Sequence, residues 1–160
     1  MKLASLVVSK PYQENRIFDR ANSRLNRDDC LASFFFLKEE FKKRGIDLST
    51  QDVNSPEVSD IVIYNDMPKS LPNIKDCKKN FLLILESPLI VKNSWDESRF
   101  SVFNKVFSWN DKIKDGKKFI KVNYSFDLPQ AIEKSKERKK LCTLISAHKI
   151  SNGENEIGRA

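Results

Sequence analysis

The chain has 160 residues, three cysteines and a formal net charge of +7. This length suits one domain with a real core and is too short for two domains of ordinary size, while three widely spaced cysteines without a CxxC pair argue against a disulfide framework and a zinc site. A net positive charge could suggest nucleic acid, but the basic residues are interspersed with acidic ones and no ribonucleoprotein-type motif accompanies them, which argues against it. The basic balance fits an anionic small molecule or a peripheral anionic membrane surface equally well.

The first elements in chain order are a short strand and a helix. The apolar run over 3–8 predicts a strand and is interrupted too soon by Lys10-Pro11 to be a signal peptide. No window approaches the ~20 apolar residues of a membrane span, so we expect a cytoplasmic protein. After a polar loop, Asn26 or Asp28 can cap a helix that Gly45 ends. The phenylalanines of this helix recur at helical spacing, which is typical of core positions rather than of ligand-stacking platforms.

Short apolar runs predict the strands that follow. The run over 81–85 has five apolar residues without polar alternation, which is typical of a strand buried on both faces of a parallel sheet. Strands that alternate with helix-length connections favour an α/β fold with a mostly parallel sheet and flanking helices over a sandwich or barrel. A late helix is predicted over 128–140. The remaining predicted strands are 46–48, 61–64, 105–107, 118–122 and 141–145.

Glu86 is the candidate catalytic residue, because it follows the apolar run and precedes Ser87-Pro88. Pro88 has no main-chain N–H to donate, so the strand must end there. Open α/β sheets bind ligands at the carboxyl ends of their strands, and a carboxylate in that place could take a proton from an incoming hydroxyl. The alternative is that Glu86 simply ends a strand in solvent. Trp95 and Trp109 are either flat surfaces for a sugar ring or half-buried packing residues.

The sequence has few other residues in patterns typical of phosphate binding, metal binding or catalysis. With four glycines and neither a GxGxxG nor a P-loop pattern, the chain carries no predicted phosphate cradle. His148 is the only histidine, so a His-pair metal site is excluded, and it is either a lone base or phosphate contact or a surface residue. The aspartates stand singly without metal-ligand spacing, so we predict no metal site and interpret Asp60 and Asp66 as bracketing a strand.

Several segments, taken in order, resemble the amino-terminal half of the bacterial α-1,3/1,4-fucosyltransferases of glycosyltransferase family 10. The most specific feature is Glu86-Ser87-Pro88 followed by Trp109-Asn110-Asp111 and a Lys121-Val122-Asn123-Tyr124 strand. Residues 142–149 resemble the strand that opens the second half of that family. The segments that carry the resemblance are 60–68, 82–88, 93–96, 105–111 and 119–124.

The resemblance implies a GT-B-type enzyme of two Rossmann-like domains that inverts the anomeric centre, needs no metal and moves fucose from GDP-fucose to a glycan hydroxyl. It implies an acceptor-side domain over 1–140 and the start of a linker and donor domain over 141–160. We therefore expect an incomplete enzyme whose GDP-fucose site lies in the donor half. Glu86 matches the general base, and Trp95, Trp109 and Asn110 are expected near the glycan acceptor.

A second hypothesis, from a different functional class, is a non-catalytic glycan-binding or regulatory domain that retains the fold. It follows from the expected absence of the donor half, because one wall of a two-domain cleft cannot position both substrates. A nucleic-acid-binding α/β protein would depend on the net charge alone.

Overall fold

The computed structural model describes residues 1–72 and 79–123, which form a parallel sheet with one α-helix and several short 3-10 turns. The helix α1 spans Ala32–Lys43. The strands are β1 (Lys2–Val7), β2 (Ile46–Thr50), β3 (Ile61–Asn65), β4 (Lys79–Ile84), β5 (Lys105–Ser108) and β6 (Phe119–Lys121).

The six strands lie in the order β2-β1-β3-β4-β5-β6, and every neighbouring pair is parallel. The predicted α/β class and parallel sheet are therefore confirmed, and the arrangement is consistent with a Rossmann-like fold. The predicted helix over 128–140, the strand over 141–145, the domain boundary at residue 140 and His148 lie outside the described residues. In the described part of the chain, no helix is long and apolar enough to cross a membrane.

The strand β4 occupies the middle of the sheet, between β3 and β5, as its apolar sequence predicts. Phe81 and Leu83 pack against the core cluster on one face, and Leu82 and Ile84 belong to the cluster on the other. The first cluster is covered by α1, which contributes the buried Phe34. Both faces of β4 are therefore used for packing, which fixes its register against its neighbours.

The amino end of α1 differs from the prediction. The helix starts at Ala32 without a side-chain cap, because Asp28 and Asp29 adopt left-handed backbone angles (φ 54° and 55°) that interrupt it. Asn26 still satisfies a main-chain donor, since its Oδ1 accepts the amide of Leu31 at 2.8 Å. At the other end, Gly45 has φ +71°, which explains why the helix stops there.

The segment between β1 and α1 is anchored rather than a plain polar loop. Ile17 and Phe18 form part of a 3-10 turn and are buried in the core. Asn15, which has φ 60°, donates its amide to Thr50 Oγ1 at 2.9 Å, and its Oδ1 accepts the Thr50 amide at 2.9 Å. The amide of Glu14 donates to Asp52 at 2.8 Å. These bonds attach the segment to the carboxyl end of β2 and hold two left-handed residues in place.

The strand order reverses direction at β1. From β1 the chain moves to β2 on one side, and β3 then lies on the other side of β1. In open α/β sheets the crevice outside the carboxyl ends of the strands at such a switch point is the usual place for a ligand. A ligand site is therefore expected at the carboxyl ends of β1 and β3 and at the adjoining end of β4.

We expect Leu82→Ala to destabilise the chain strongly, because Leu82 is fully buried in the central strand. The free energy of unfolding should fall by about 2–5 kcal/mol, measured by urea denaturation followed by circular dichroism. The control is Leu89→Ala, since Leu89 is 50% exposed and its truncation should change stability little. Equal effects of the two substitutions would contradict the assigned core.

Candidate functional site

A cleft of about 440 Å³ lies at the switch point of the sheet. The carboxyl ends of β3 and β4, together with the anchored segment after β1, supply its walls. None of the described residues that line it is a lysine, an arginine or a histidine. Its polar lining includes Ser9, Asn65, Asp66 and Glu86, and its apolar lining includes Ile17, Leu31, Phe34, Ile90 and Val91.

Two carboxylates, Asp66 and Glu86, lie in this cleft at the ends of adjacent strands. Burial is the main cause that raises the pKa of Asp66, and the negative charge of Glu86 raises it further. Hydrogen bonds from the main-chain amides of Glu86 and Leu85 and from the hydroxyl of Ser94 act in the opposite direction without cancelling the rise. Both carboxylates are half-buried, so the cleft concentrates negative charge away from bulk water.

Asp66 was not predicted as a cleft residue. Asp60 and Asp66 flank β3, as the sequence predicts. The sequence nevertheless contains a pattern that could have predicted Asp66 as a cleft residue. Asn65-Asp66 follows the apolar run over 61–64, just as Glu86 follows its own apolar run. What the sequence could not reveal is that β3 and β4 are neighbours, which brings the two carboxylates together.

The main chain of Leu85 and Glu86 is held by two indole side chains, those of Trp95 and Trp109. The indole Nε1–H of Trp109 donates to the carbonyl of Leu85 at 3.1 Å, and that of Trp95 donates to the carbonyl of Glu86 at 3.1 Å. Both main-chain carbonyls of this dipeptide therefore have side-chain partners.

The structure brings Glu86, Trp95 and Trp109 together, although only Glu86 is among the residues that line the cleft. The two indole rings meet edge to face, with centroids 5.4 Å apart. Asn110 is placed differently. Its Oδ1 accepts the amide of Lys112 at 2.9 Å at the start of a 3-10 turn, and its own amide donates to Ser108 at 3.2 Å.

No protein-family model, curated protein or solved structure matches this chain. The resemblance to the fucosyltransferases is therefore carried by the motif segments alone.

The cleft is rich in hydrogen-bond acceptors. Asp66 and Glu86 supply carboxylate oxygens to its lining. Such a lining suits a ligand that presents donors, such as sugar hydroxyls, and disfavours a phosphate. In the described ranges no group of three or more His, Cys, Asp or Glu side chains could hold a metal ion.

We expect Glu86→Gln to lower the pKa of Asp66, because the substitution removes the neighbouring charge that raises it. The pH titration of the Asp66 carboxyl carbon by ¹³C NMR measures this directly. Glu40→Gln on the exposed face of α1 is the matched control and should leave Asp66 unchanged. An unchanged titration in Glu86→Gln would contradict the proximity of the two carboxylates.

The raised pKa of Asp66 also predicts how the stability of the fold depends on pH. Because the folded state raises the pKa of Asp66, it binds that proton more tightly than the unfolded chain does. The contribution of Asp66 to the free energy of unfolding should therefore be most favourable below its ordinary value of 3.8 and decline as the pH rises through the raised value. Urea denaturation of the wild type and of Asp66→Asn across this pH range measures the difference.

Proposed function

We propose that this chain is the acceptor-side domain of an inverting glycosyltransferase of the fucosyltransferase type, in which Glu86 is the general base. The observation that carries the proposal is the position of Glu86, at the end of the central strand and in a switch-point cleft that holds a second carboxylate and no cationic lining among the described residues. The motif segments that resemble family 10 supply the identity of the sugar, and the GT-B architecture belongs to the same proposal.

In the proposed reaction the Glu86 carboxylate accepts the proton of an acceptor hydroxyl while that oxygen attacks the anomeric carbon of fucose. The bond from this carbon to the β-phosphate oxygen breaks, and GDP leaves with the bonding electrons. Because attack and departure occur on opposite faces, the anomeric configuration inverts. The role of Glu86 in this step is that of a positioned proton acceptor, which typically contributes a rate factor of about 10²–10⁴.

The charges in the cleft favour the acceptor over the donor as its ligand. The diphosphate of GDP-fucose is anionic, and Asp66 and Glu86 would repel it where no described lining residue offsets their charge. A neutral glycan presents hydroxyl donors that match the carboxylates of Asp66 and Glu86. We therefore assign the acceptor to this cleft and GDP-fucose to a donor domain.

The tryptophans support Glu86 through its main chain in this proposal. The two indole rings pack edge to face. Because Trp109 is 40% exposed and Trp95 is half-buried, each ring still has surface that a sugar could contact. Direct contact of Trp95, Trp109 or Asn110 with the acceptor sugar stays a prediction.

We expect N-acetyllactosamine to bind the 160-residue chain at the cleft and GDP-fucose not to bind it. In ¹H–¹⁵N spectra the disaccharide should shift the amides of Asn65, Asp66 and Glu86, because its hydroxyls replace water at their acceptors. GDP-fucose at the same concentration should leave these amides unchanged. Shifts caused by GDP-fucose and not by the disaccharide would overturn the assignment of the cleft.

We expect Glu86→Gln to abolish most fucose transfer when the chain is joined to the donor domain of an active family member. The amide keeps the shape of the side chain and loses the basicity, so kcat should fall by about 10²–10⁴-fold. Glu97→Gln, an exposed glutamate in the 3-10 turn Glu97–Val102, is the control. If Glu86→Gln transfers fucose at the control rate while the disaccharide still binds, Glu86 is not the general base.

A further inference from the structure

The segment between β1 and α1 forms a second cavity, of about 470 Å³. Its volume lies in the range of pockets that hold small ligands, about 300–1,000 Å³. The described residues that line it include two arginines and no carboxylate, so its charge is the opposite of that of the cleft. We call it the arginine pocket, and its described lining is Pro11, Arg16, Asn22, Arg24 and Leu25.

The arginine pocket and the cleft share a wall. Two 3-10 turns of the segment each contribute one residue to the pocket and the next residue to the cleft. In the first turn Pro11 lines the pocket and Tyr12 lines the cleft, and in the second Arg16 lines the pocket and Ile17 lines the cleft. Because consecutive Cα atoms lie about 3.8 Å apart, a single thickness of main chain separates the two cavities at these turns.

The main chain that carries the two arginines is anchored. Arg16 begins a 3-10 turn whose other two residues are buried in the core. Arg24 lies in a turn that the carbonyl of Asn22 closes by accepting the amide of Asn26 at 2.8 Å. The side chain of Asn26 in turn donates to the carbonyl of Arg20 at 2.8 Å. A ligand of this pocket therefore does not have to order its main chain, which lowers the entropic cost of binding.

The arginines of this segment differ in how far their charge is neutralised. Arg20 pairs with Asp29 and does not line the pocket. Arg16 pairs through one guanidinium nitrogen with the exposed Glu14, which leaves its other N–H donors for a ligand. Arg24 is exposed and has no ion-pair partner in the part of the chain that the structure describes. The pocket therefore holds one unpaired positive charge and a second that is only partly compensated.

The rest of the lining narrows the choice of anion. Guanidinium groups bind carboxylates and phosphates through paired N–H donors. Pro11 and Leu25 add apolar surface, and Asn22 adds a side-chain amide that can donate to a hydroxyl. A bare phosphate ion would leave the apolar surface uncovered, whereas a sugar ring with a carboxylate covers it and presents hydroxyls to Asn22.

We propose that the arginine pocket binds an acidic sugar of the hexuronate type, whose carboxylate is held by Arg16 and Arg24. The acceptor of the transfer reaction is then an acidic glycan, with a neutral sugar in the cleft and the acidic sugar in the pocket. The charges sort the two sugars, because a carboxylate is repelled by Asp66 and Glu86 and attracted by the arginines. This identity of the acceptor rests on the proposed function, whereas the binding of the acidic sugar can be measured without it.

Glucuronate and glucose are matched probes, because they differ only in the carboxylate. In ¹H–¹⁵N spectra of the 160-residue chain, glucuronate should shift the amides of Asn22 and Arg24 and the side-chain Nε–H signals of Arg16 and Arg24. Glucose at the same concentration should leave them unchanged. Acetate, which has a carboxylate and no ring, and inorganic phosphate should each bind more weakly than glucuronate. Added salt should weaken the binding of glucuronate, since it screens the exposed guanidinium groups.

The substitution Arg24→Gln removes one positive charge of the pocket without breaking an ion pair to a described residue, so we expect the fold to be kept. The affinity for glucuronate should fall by about tenfold, as for the loss of a hydrogen bond to a charged group. Arg16→Gln should weaken binding to a similar extent and serves as the second variant. The matched control is Arg27→Gln, because Arg27 is an exposed arginine of the same segment outside the described lining. It removes the same charge and should leave the affinity close to that of the wild type.

Several results would overturn the arginine pocket as the site of an acidic sugar. These are equal losses of affinity in Arg24→Gln and Arg27→Gln, binding of glucose as tight as that of glucuronate, and binding of acetate or phosphate that is as tight or tighter. Shifts of the cleft amides by N-acetyllactosamine without any response to glucuronate would overturn this proposal alone. Glucuronate binding in a chain whose cleft does not respond to the disaccharide would support the arginine pocket and overturn the proposed function.

Discussion

The parallel pairing of β3 with β4 is the constraint on which the cleft depends. The register places Asn65 opposite Leu83, so both strands end at the same edge and deliver Asp66 and Glu86 to one cleft. Side chains alternate between the faces of a sheet, so a slip by one residue would exchange the core faces of β4 and turn Glu86 to the opposite side. The packing of Leu82 and Ile84 against one core cluster, and of Phe81 and Leu83 against the other, prevents that slip.

Two half-buried carboxylates at one strand edge repel each other, and the structure compensates Asp66 mainly with main-chain dipoles. The main-chain amides of Leu85 and Glu86 and the hydroxyl of Ser94 lower its pKa, yet burial still raises the pKa above its ordinary value. No described lining residue of the cleft is cationic, although the chain as a whole carries a net charge of +7. The sign of the local charge, rather than that of the whole chain, determines which ligand the cleft can take.

Hydrogen bonds hold the segment between β1 and α1, which supplies another wall of the cleft. Left-handed residues are concentrated in the segment between β1 and α1, where Asn15 and Glu14 are bound to the end of β2 and Asp29 is bound by Arg20 and Asn26. Backbone conformations of this kind persist when the surrounding hydrogen bonds over-determine them. The indoles of Trp95 and Trp109 likewise hold the end of β4 by hydrogen bonds to its carbonyls.

The sequence by itself determined the α/β class, the positions of the six described strands and the place of Glu86 at the end of an apolar strand, because apolar runs and a proline after the charge are local signals. Only the tertiary structure decided that Asp66 shares the cleft and that Trp95 and Trp109 bind the main chain of Leu85 and Glu86. It also decided that Ile17 and Phe18 belong to the core rather than to a polar loop. These contacts join residues that are distant in sequence, and they depend on strand order and register, which no local pattern of residues specifies.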